Sequence, residues 1–237
     1  MALTYLQEGM TRPATFSLFT RNLPPDRGFL VAAGLEDALA YLERLRVDDS
    51  DVAALASALG RHDDEVTALR DLHFTGDVWA VPEGRVVLAG EPLLEVTAPL
   101  PQAQLVETFL LNQLTYRTGV TSKGARGVLA ARDLPVIDFS LRRTHGAEAG
   151  MHAARAGALV GFAGTGNVAV SLAYGLPAVG TMAHSFVEAF TDEGEAFRAL
   201  VRNTSGPMTL TGSRRSLAVV RADVARLRKP HIDTRRQ

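Results

Sequence analysis

The sequence predicts an α/β protein in which an N-terminal α+β unit, sandwich-like in its layering, is followed by part of a parallel β/α barrel. Three observations carry this reading. Short apolar runs separated by Pro and Gly turns crowd residues 1–102, a long helical pattern spans Leu105 to Ala131, and apolar runs then alternate with helical stretches at the spacing of β/α units. The expected division is an α+β domain at 1–102, a partial β/α barrel at 103–201 and a compositionally distinct tail at 202–237.

The elements follow in order. Phe16, Leu18 and Thr20 alternate with Ser17 and Phe19 in a strand closed by Leu23-Pro24-Pro25. A strand-like Gly28-Phe29-Leu30-Val31 leads into a helix whose Leu35, Ala38, Leu39, Leu42 and Leu45 recur three and four residues apart. Two short helices are expected near Asp51 to Leu59 and Asp63 to Leu72. Strands Val78 to Val81, Arg85 to Leu88 and Pro92 to Val96 are separated by Pro82-Glu83-Gly84 and Gly90-Glu91 turns. In the long helix, Leu105, Phe109, Leu110, Leu114 and Tyr116 make a broad apolar face. Beyond it come a strand Pro135 to Phe139, a helix Ala147 to Ala156, a strand at Leu159–Val160, a helix Val168 to Tyr174, a strand Ala178-Val179-Gly180 and a helix beginning near Ser185. In β/α barrels, chemistry gathers where strands end and loops begin.

Composition bounds the function. With 237 residues, 46% of them hydrophobic, the chain can bury a substantial core in one large or two smaller domains. A formal net charge of -1 gives no general reason to expect nucleic-acid or acidic-surface binding. The absence of cysteine excludes disulfides, thiolate metal sites and a cysteine nucleophile. Met1 to Gly9 lacks the basic start and apolar run of a secretory signal, and no stretch approaches the ~20 apolar residues that span a bilayer, so a soluble cytoplasmic protein is expected. From Arg202 onward nine Lys or Arg stand against Asp223 and Asp233. A solvated basic helix and tail, a nucleic-acid-binding tail and an altered reading frame all account for that composition, although no aromatic residue interleaves with the charges.

Three clusters sit at expected strand ends. Phe139, Arg142 and Arg143 follow the apolar Pro135-Val136-Ile137; guanidinium groups there can hold phosphate or carboxylate, and Phe139 offers a flat face to a planar ring. The alternative is a core Phe139 with both arginines paired to surface carboxylates. Gly161 to Val168, which includes Gly166, could present backbone amides to an anion at a helix N-terminus, or could merely tighten a connection. Gly180 to Phe186 contains Thr181, His184 and Ser185. His184 could be a nucleophile, a base or a structural side chain; no second His or Cys stands at metal-ligand spacing, and no Gly-x-Ser-x-Gly elbow makes the pair a hydrolase.

In this order and spacing the clusters resemble the nicotinate phosphoribosyltransferase family. The resemblance runs from about Met1 to Leu200 and includes Glu8-Gly9-Met10-Thr11-Arg12-Pro13-Ala14-Thr15-Phe16, Gly28 to Leu35, Pro82-Glu83-Gly84, Glu107-Thr108 with Leu111-Asn112, Asp138-Phe139 with Leu141-Arg142-Arg143, and Gly180-Thr181 with Ala183-His184-Ser185. It implies a barrel of the type II phosphoribosyltransferase kind and a reaction joining nicotinate to phosphoribosyl pyrophosphate. ATP is the co-substrate, Mg²⁺ assists, and the full-length family forms homodimers.

By resemblance, ATP transiently phosphorylates His184, Thr181 lies against nicotinate beside Ser185, Phe139 stacks on the ring, and Arg142 with Arg143 faces phosphate or carboxylate. Mg²⁺ is held largely by diphosphate and water. The related nicotinamide phosphoribosyltransferases carry an aspartate where Gly166 stands, so its absence favours the acid over the amide. The quinolinate enzymes, which share the architecture, are expected to present more basic residues for two carboxylates, and Ala183-His184-Ser185 argues against them. The resemblance also implies an earlier Asp-Leu-Tyr segment, whose tyrosine contributes to the nicotinate site, and a Val-Asp-Thr-Tyr-Asp segment near Thr209-Leu210 with the rest of the barrel beyond. The expectation is a chain that starts just after the first of these segments and whose match dissolves after Arg202, a shifted reading frame being the cause expected for the C-terminal divergence, with an inactive fragment as the competing function.

Overall fold

The computed structural model describes residues 1–204. By contacts the chain forms two compact units, Met1–Pro177 and a second beginning at Ala178; the expectations for the basic segment beyond Thr204 lie outside the described residues.

In the first unit, helix α1 (Ala2–Gln7) precedes strand β1 (Pro13–Phe19), whose alternating burial is that of a half-buried strand. Strand β2 (Leu30–Val31) leads into α2 (Leu35–Arg44), followed by α3 (Asp49–Leu59), the short α4 (Asp63–Val66) and a 3₁₀ turn at Thr67–Leu69. Strands β3 (Asp77–Ala80), β4 (Val86–Val87) and β5 (Pro92–Pro99) close the N-terminal part. β5 is central in an antiparallel sheet of order β1-β5-β3, with Phe16 opposite Val96 and Leu18 opposite Leu94, while β2 pairs with β4. That register turns Leu94, Val96 and Ala98 into the core, and sets Ser17 against Glu95 (2.6 Å) and Thr15 against Thr97 (2.8 Å) on the outer face.

Helix α5 (Leu100–Ala131) is the spine. It starts five residues before the expected Leu105, because Pro99-Leu100-Pro101 supplies the fixed φ of a first helical turn. Its Ala103, Val106, Leu110 and Leu114 join Leu30, Leu42, Leu94 and Val96 in the main core, and Tyr41 of α2 stacks on Phe109 at 3.8 Å between ring centroids. A second core gathers Val47, Val52, Ala56, Val66, Leu69 and Leu72 from the small helices. α5 also runs through the position where the sequence places the 102/103 boundary.

Two hydroxyls of α5 complete β2. The Val31 amide donates to Ser122 Oγ at 2.8 Å and the Ala33 amide to Thr118 Oγ1 at 3.2 Å, so buried backbone donors that would otherwise be orphaned are satisfied by a helix. Gly34 then turns the chain with φ +100°, and a Cβ there would stand 2.7 Å from the Gln113 carbonyl oxygen of α5, so only glycine fits.

Beyond α5, strand β6 (Ile137–Asp138), a 3₁₀ turn (Leu141–Arg143), α6 (Ala147–Leu159), β7 (Gly164–Thr165) and α7 (Val168–Tyr174) form one parallel β/α passage, with Ile137 opposite Gly164 and Asp138 opposite Thr165. The expected strand at Leu159–Val160 is instead the end of α6. Gly161, at φ +86°, donates to Ala158 O (3.3 Å), and Phe162 N donates to Gly157 O (3.0 Å), which is the Schellman closure of a helix C-terminus. The strand forms four residues later.

The second unit contains α8 (His184–Glu188) and α9 (Glu193–Asn203). Asp192 caps α9 by accepting from Glu195 N at 2.9 Å, and the helix buries Ala196, Phe197 and Val201. The expected strand Ala178-Val179-Gly180 is reduced to a lone bridge residue at Ala178.

A polar network ties the first unit together. Glu83, from the β3–β4 turn, accepts from Gly34 N (2.5 Å) and Leu35 N (3.0 Å) at the start of α2, and pairs with Arg155 of α6 at 2.5 Å. Arg155 also binds Glu36 and lies 5.5 Å from the Tyr174 ring centroid. Nearby, Arg117 pairs with Asp37 at 2.8 Å and meets His152 at 2.7 Å. Burial alone would push the Glu83 carboxyl upward, but the Arg155 hydrogen bond and the α2 amides outweigh it and hold it below the ordinary glutamate value. The folded unit therefore binds its proton less readily than the unfolded chain. The stabilisation is full above the unfolded glutamate value of ~4.3 and is lost as pH falls through the lower folded value. Glu83→Gln is expected to cost on the order of 3 kcal/mol at neutral pH and to flatten the acid-side loss of stability; thermal unfolding followed down the acid range checks both, and an unchanged slope would refute the assignment.

Candidate active site

The ends of β6 and β7 lie side by side, and this parallel pair brings two of the sequence clusters together. Gly166 N donates to Asp138 O at 2.8 Å, just past the last paired residues. A Cβ at Gly166 would fall 2.8 Å from Phe139 Cδ1 and 3.0 Å from Cε1, so the glycine is in close contact with the ring. Phe139 is 42% exposed, which rules out the core alternative and leaves much of the ring open to solvent.

Arg142 and Arg143 lie in the 3₁₀ turn that follows, both exposed, and neither makes an ion pair among the described residues. The surface-carboxylate alternative is thus not what the structure adopts. Beneath them the scaffold is buried and polar: Asp138 is 5% exposed, Thr165 fully buried and Asn167 5% exposed. Ser140 N donates to one Asp138 oxygen (2.9 Å) and Thr165 Oγ1 donates to the other (2.6 Å). These buried partners had no local sequence signal beyond polar residues at strand ends.

The glycine-rich stretch closes one helix and opens the next. Gly161 ends α6, whereas Asn167 opens α7 and covers the Val170 amide itself, with Oδ1 at 3.5 Å.

Thr181, His184 and Ser185 belong to the second unit. Ala183 is the N-cap of α8, His184 its first residue and Ser185 its second, and all three candidate side chains are exposed. Phe186 of α8 contacts Phe190, just past the end of that helix, at 5.1 Å between ring centroids. The seven candidate residues thus divide between the units: Phe139, Arg142, Arg143 and Gly166 in the first, the other three in the second. Among the described residues no group of three or more His, Asp or Glu side chains could hold a metal ion, and no helix is long and apolar enough to cross a membrane.

Residues 1–115 match the model of the nicotinate phosphoribosyltransferase N-terminal domain, and residues 134–207 that of the nicotinate phosphoribosyltransferase family. The chain belongs to the nicotinate phosphoribosyltransferase family. Among relatives of this family, it is 47% identical over 211 residues to nicotinate phosphoribosyltransferase pncB2 of Mycobacterium tuberculosis, covering 89% of this chain and 45% of the relative. It is 42% identical over 199 residues to the nicotinate phosphoribosyltransferase of Bacillus subtilis, covering 84% and 41%. The crystal structure of human nicotinic acid phosphoribosyltransferase matches with a TM-score of 0.72 at 38% identity, over 81% of this chain and 39% of that one. A nicotinate-nucleotide pyrophosphorylase from Pyrococcus furiosus shares the fold, with a TM-score of 0.73 at 22% identity over 93% and 51%. The chain therefore spans less than half the length of these nicotinate phosphoribosyltransferase relatives, and its α/β architecture is that of the first part of a type II phosphoribosyltransferase.

Within this family member, the Gly166 contact is directly testable. Gly166→Ala is expected to drive the Phe139 ring outward at a cost of about 1–3 kcal/mol, or several degrees in melting temperature. Because half-exposed Phe139 can yield, the lower end is expected. A melting temperature and Phe139 ring resonances identical to those of the unsubstituted chain would mean that the ring does not rest on Gly166.

Proposed function

We propose that the chain serves the reaction of nicotinate phosphoribosyltransferase in NAD salvage: nicotinate and phosphoribosyl pyrophosphate give nicotinate mononucleotide and pyrophosphate, with ATP hydrolysed and Mg²⁺ assisting in the cytoplasm. The observation that carries this reading is the open Phe139 ring set against Gly166, with two guanidinium groups unpaired among the described residues in the next turn.

Phe139 stacks on the pyridine ring, and Arg142 with Arg143 supplies charge-assisted donors to its carboxylate or to a substrate phosphate. Gly166 presents no carboxylate to the ring substituent, which favours the acid over the amide. Thr181 and Ser185 add hydroxyls to the substrate side. Exposed at the start of α8, His184 is the nucleophile: a ring nitrogen attacks the γ-phosphorus of ATP, the bond to ADP breaks, and water later releases phosphate from the imidazole. The pyridine nitrogen attacks the anomeric carbon of the sugar as its bond to pyrophosphate breaks. Both Asp138 oxygens are engaged within the chain, and this fits a Mg²⁺ that arrives on the diphosphate with its waters rather than on a protein carboxylate cage.

The test is nicotinate mononucleotide formation from nicotinate, phosphoribosyl pyrophosphate, ATP and Mg²⁺, beside calorimetric binding of nicotinate. Product is expected from the chain and none from His184→Ala, while Arg142→Ala is expected to weaken the substrate that it contacts by about tenfold to a hundredfold. Binding without product would assign the chain the pyridine-holding part alone. A folded chain that neither binds nicotinate nor turns over would overturn the reading.

A further inference from the structure

Phe139 poses a mechanical problem. A ring that is 42% exposed is not fixed by core packing, so its position must come from the backbone on either side. That backbone is held by a single buried carboxylate. Asp138 accepts from Ser140 N on one side of Phe139 (2.9 Å), and its other oxygen accepts from Thr165 Oγ1 (2.6 Å) across the β6–β7 pair. Thr165 Oγ1 in turn accepts from Asn167 N (3.0 Å), on the far side of Gly166, and Gly166 N donates to Asp138 O (2.8 Å). The loops that bear Phe139 and Gly166 are therefore each pinned on both flanks by one connected set of hydrogen bonds.

We propose that Asp138 is a positioning residue for the pyridine site, acting through Thr165 to lock the loops of Phe139 and Gly166 into one arrangement. The ligand in this proposal is taken from the nicotinate reading above; the clamp itself stands on the geometry. Asp138 has no ion-pair partner among the described residues and no free oxygen. A carboxyl buried in this way is costly unless its hydrogen bonds are made, and here all of them are spent on the two loops. Its consequence is preorganisation: the ring waits over Gly166 rather than being ordered when the ligand arrives.

Thr165→Val, isosteric but without the hydroxyl, and Thr165→Ser, which retains it, separate the clamp from packing; Asp138→Asn keeps the shape and removes one acceptor. The first readout is the NMR shift of the Gly166 α-protons, displaced by the aromatic ring against them. It is expected to move toward its random-coil position in Thr165→Val and Asp138→Asn and to stay in Thr165→Ser. The second is nicotinate affinity, expected to weaken about tenfold in Thr165→Val and less than about twofold in Thr165→Ser, while phosphorylation of His184 by ATP is unchanged. In a double-mutant cycle, Thr165→Val is expected to add no further loss to Phe139→Ala, since it acts through that ring. An unmoved Gly166 signal in Thr165→Val, or additive losses in the cycle, overturns the proposal. If the unsubstituted chain binds no nicotinate, the ligand reading falls, and the Gly166 shift alone still decides whether the clamp exists.

Discussion

The first unit depends on one carboxylate placed where three elements converge. Glu83 comes from a tight turn, terminates the free amides of α2, and draws in Arg155 from α6. A buried ion pair of this kind is expensive to desolvate and rarely improves on apolar packing in net stability. What it supplies is alignment. In this placement of α6, Arg155 reaches Glu83, Glu36 and the face of Tyr174 together. Since β7 follows the end of α6 by a few residues, that placement also sets where Gly166 lies.

The site repeats the same division of labour at smaller scale. In the first unit, the groups suited to ligand chemistry are exposed: the Phe139 ring and the two guanidinium groups. Groups that hold position are buried: Asp138, Thr165 and Asn167. Buried Asp138 precedes the exposed Phe139, and buried Thr165 and Asn167 flank Gly166. Hydrogen bonds are directional where apolar packing is not, which makes them the natural means of fixing side chains that cannot themselves be packed.

Much of this was legible in the sequence. The 3.6-residue recurrence of α2, the alternation of β1 and the turn residues around β3, β4 and β5 located those elements because each has a strong local period. The Val168 to Tyr174 helix was read with its observed bounds. Local reasoning failed where one signal had two meanings. Leu159–Val160 looked like a strand because it is apolar, yet with Gly161 and Phe162 it has the pattern of a helix closure, glycine just past the end and an apolar residue after it. Ala178-Val179-Gly180 was apolar enough to be a strand but forms none among the described residues. At the site, Phe139 and Gly166 are 27 positions apart and meet only through β6–β7 pairing. No periodicity could have joined them; the family resemblance did. Asp138 and Thr165 are invisible as partners in the sequence for the same reason, and nothing local distinguishes Thr118 and Ser122 from other polar residues of a helix.

Those two hydroxyls reach beyond satisfying donors. Val31 and Ala33 are separated from Ser122 and Thr118 by 91 and 85 residues, respectively, so the segment that precedes α2 acquires these bonds only after most of the first unit has been synthesised and α5 has docked. Long-range contacts of this sort are slow to form, because the loop must close before anything is gained. The amide hydrogens of Val31 and Ala33 consequently record a distant event: their resistance to exchange with solvent measures the seating of a helix that begins some seventy residues downstream, roughly 240 Å of fully extended chain away.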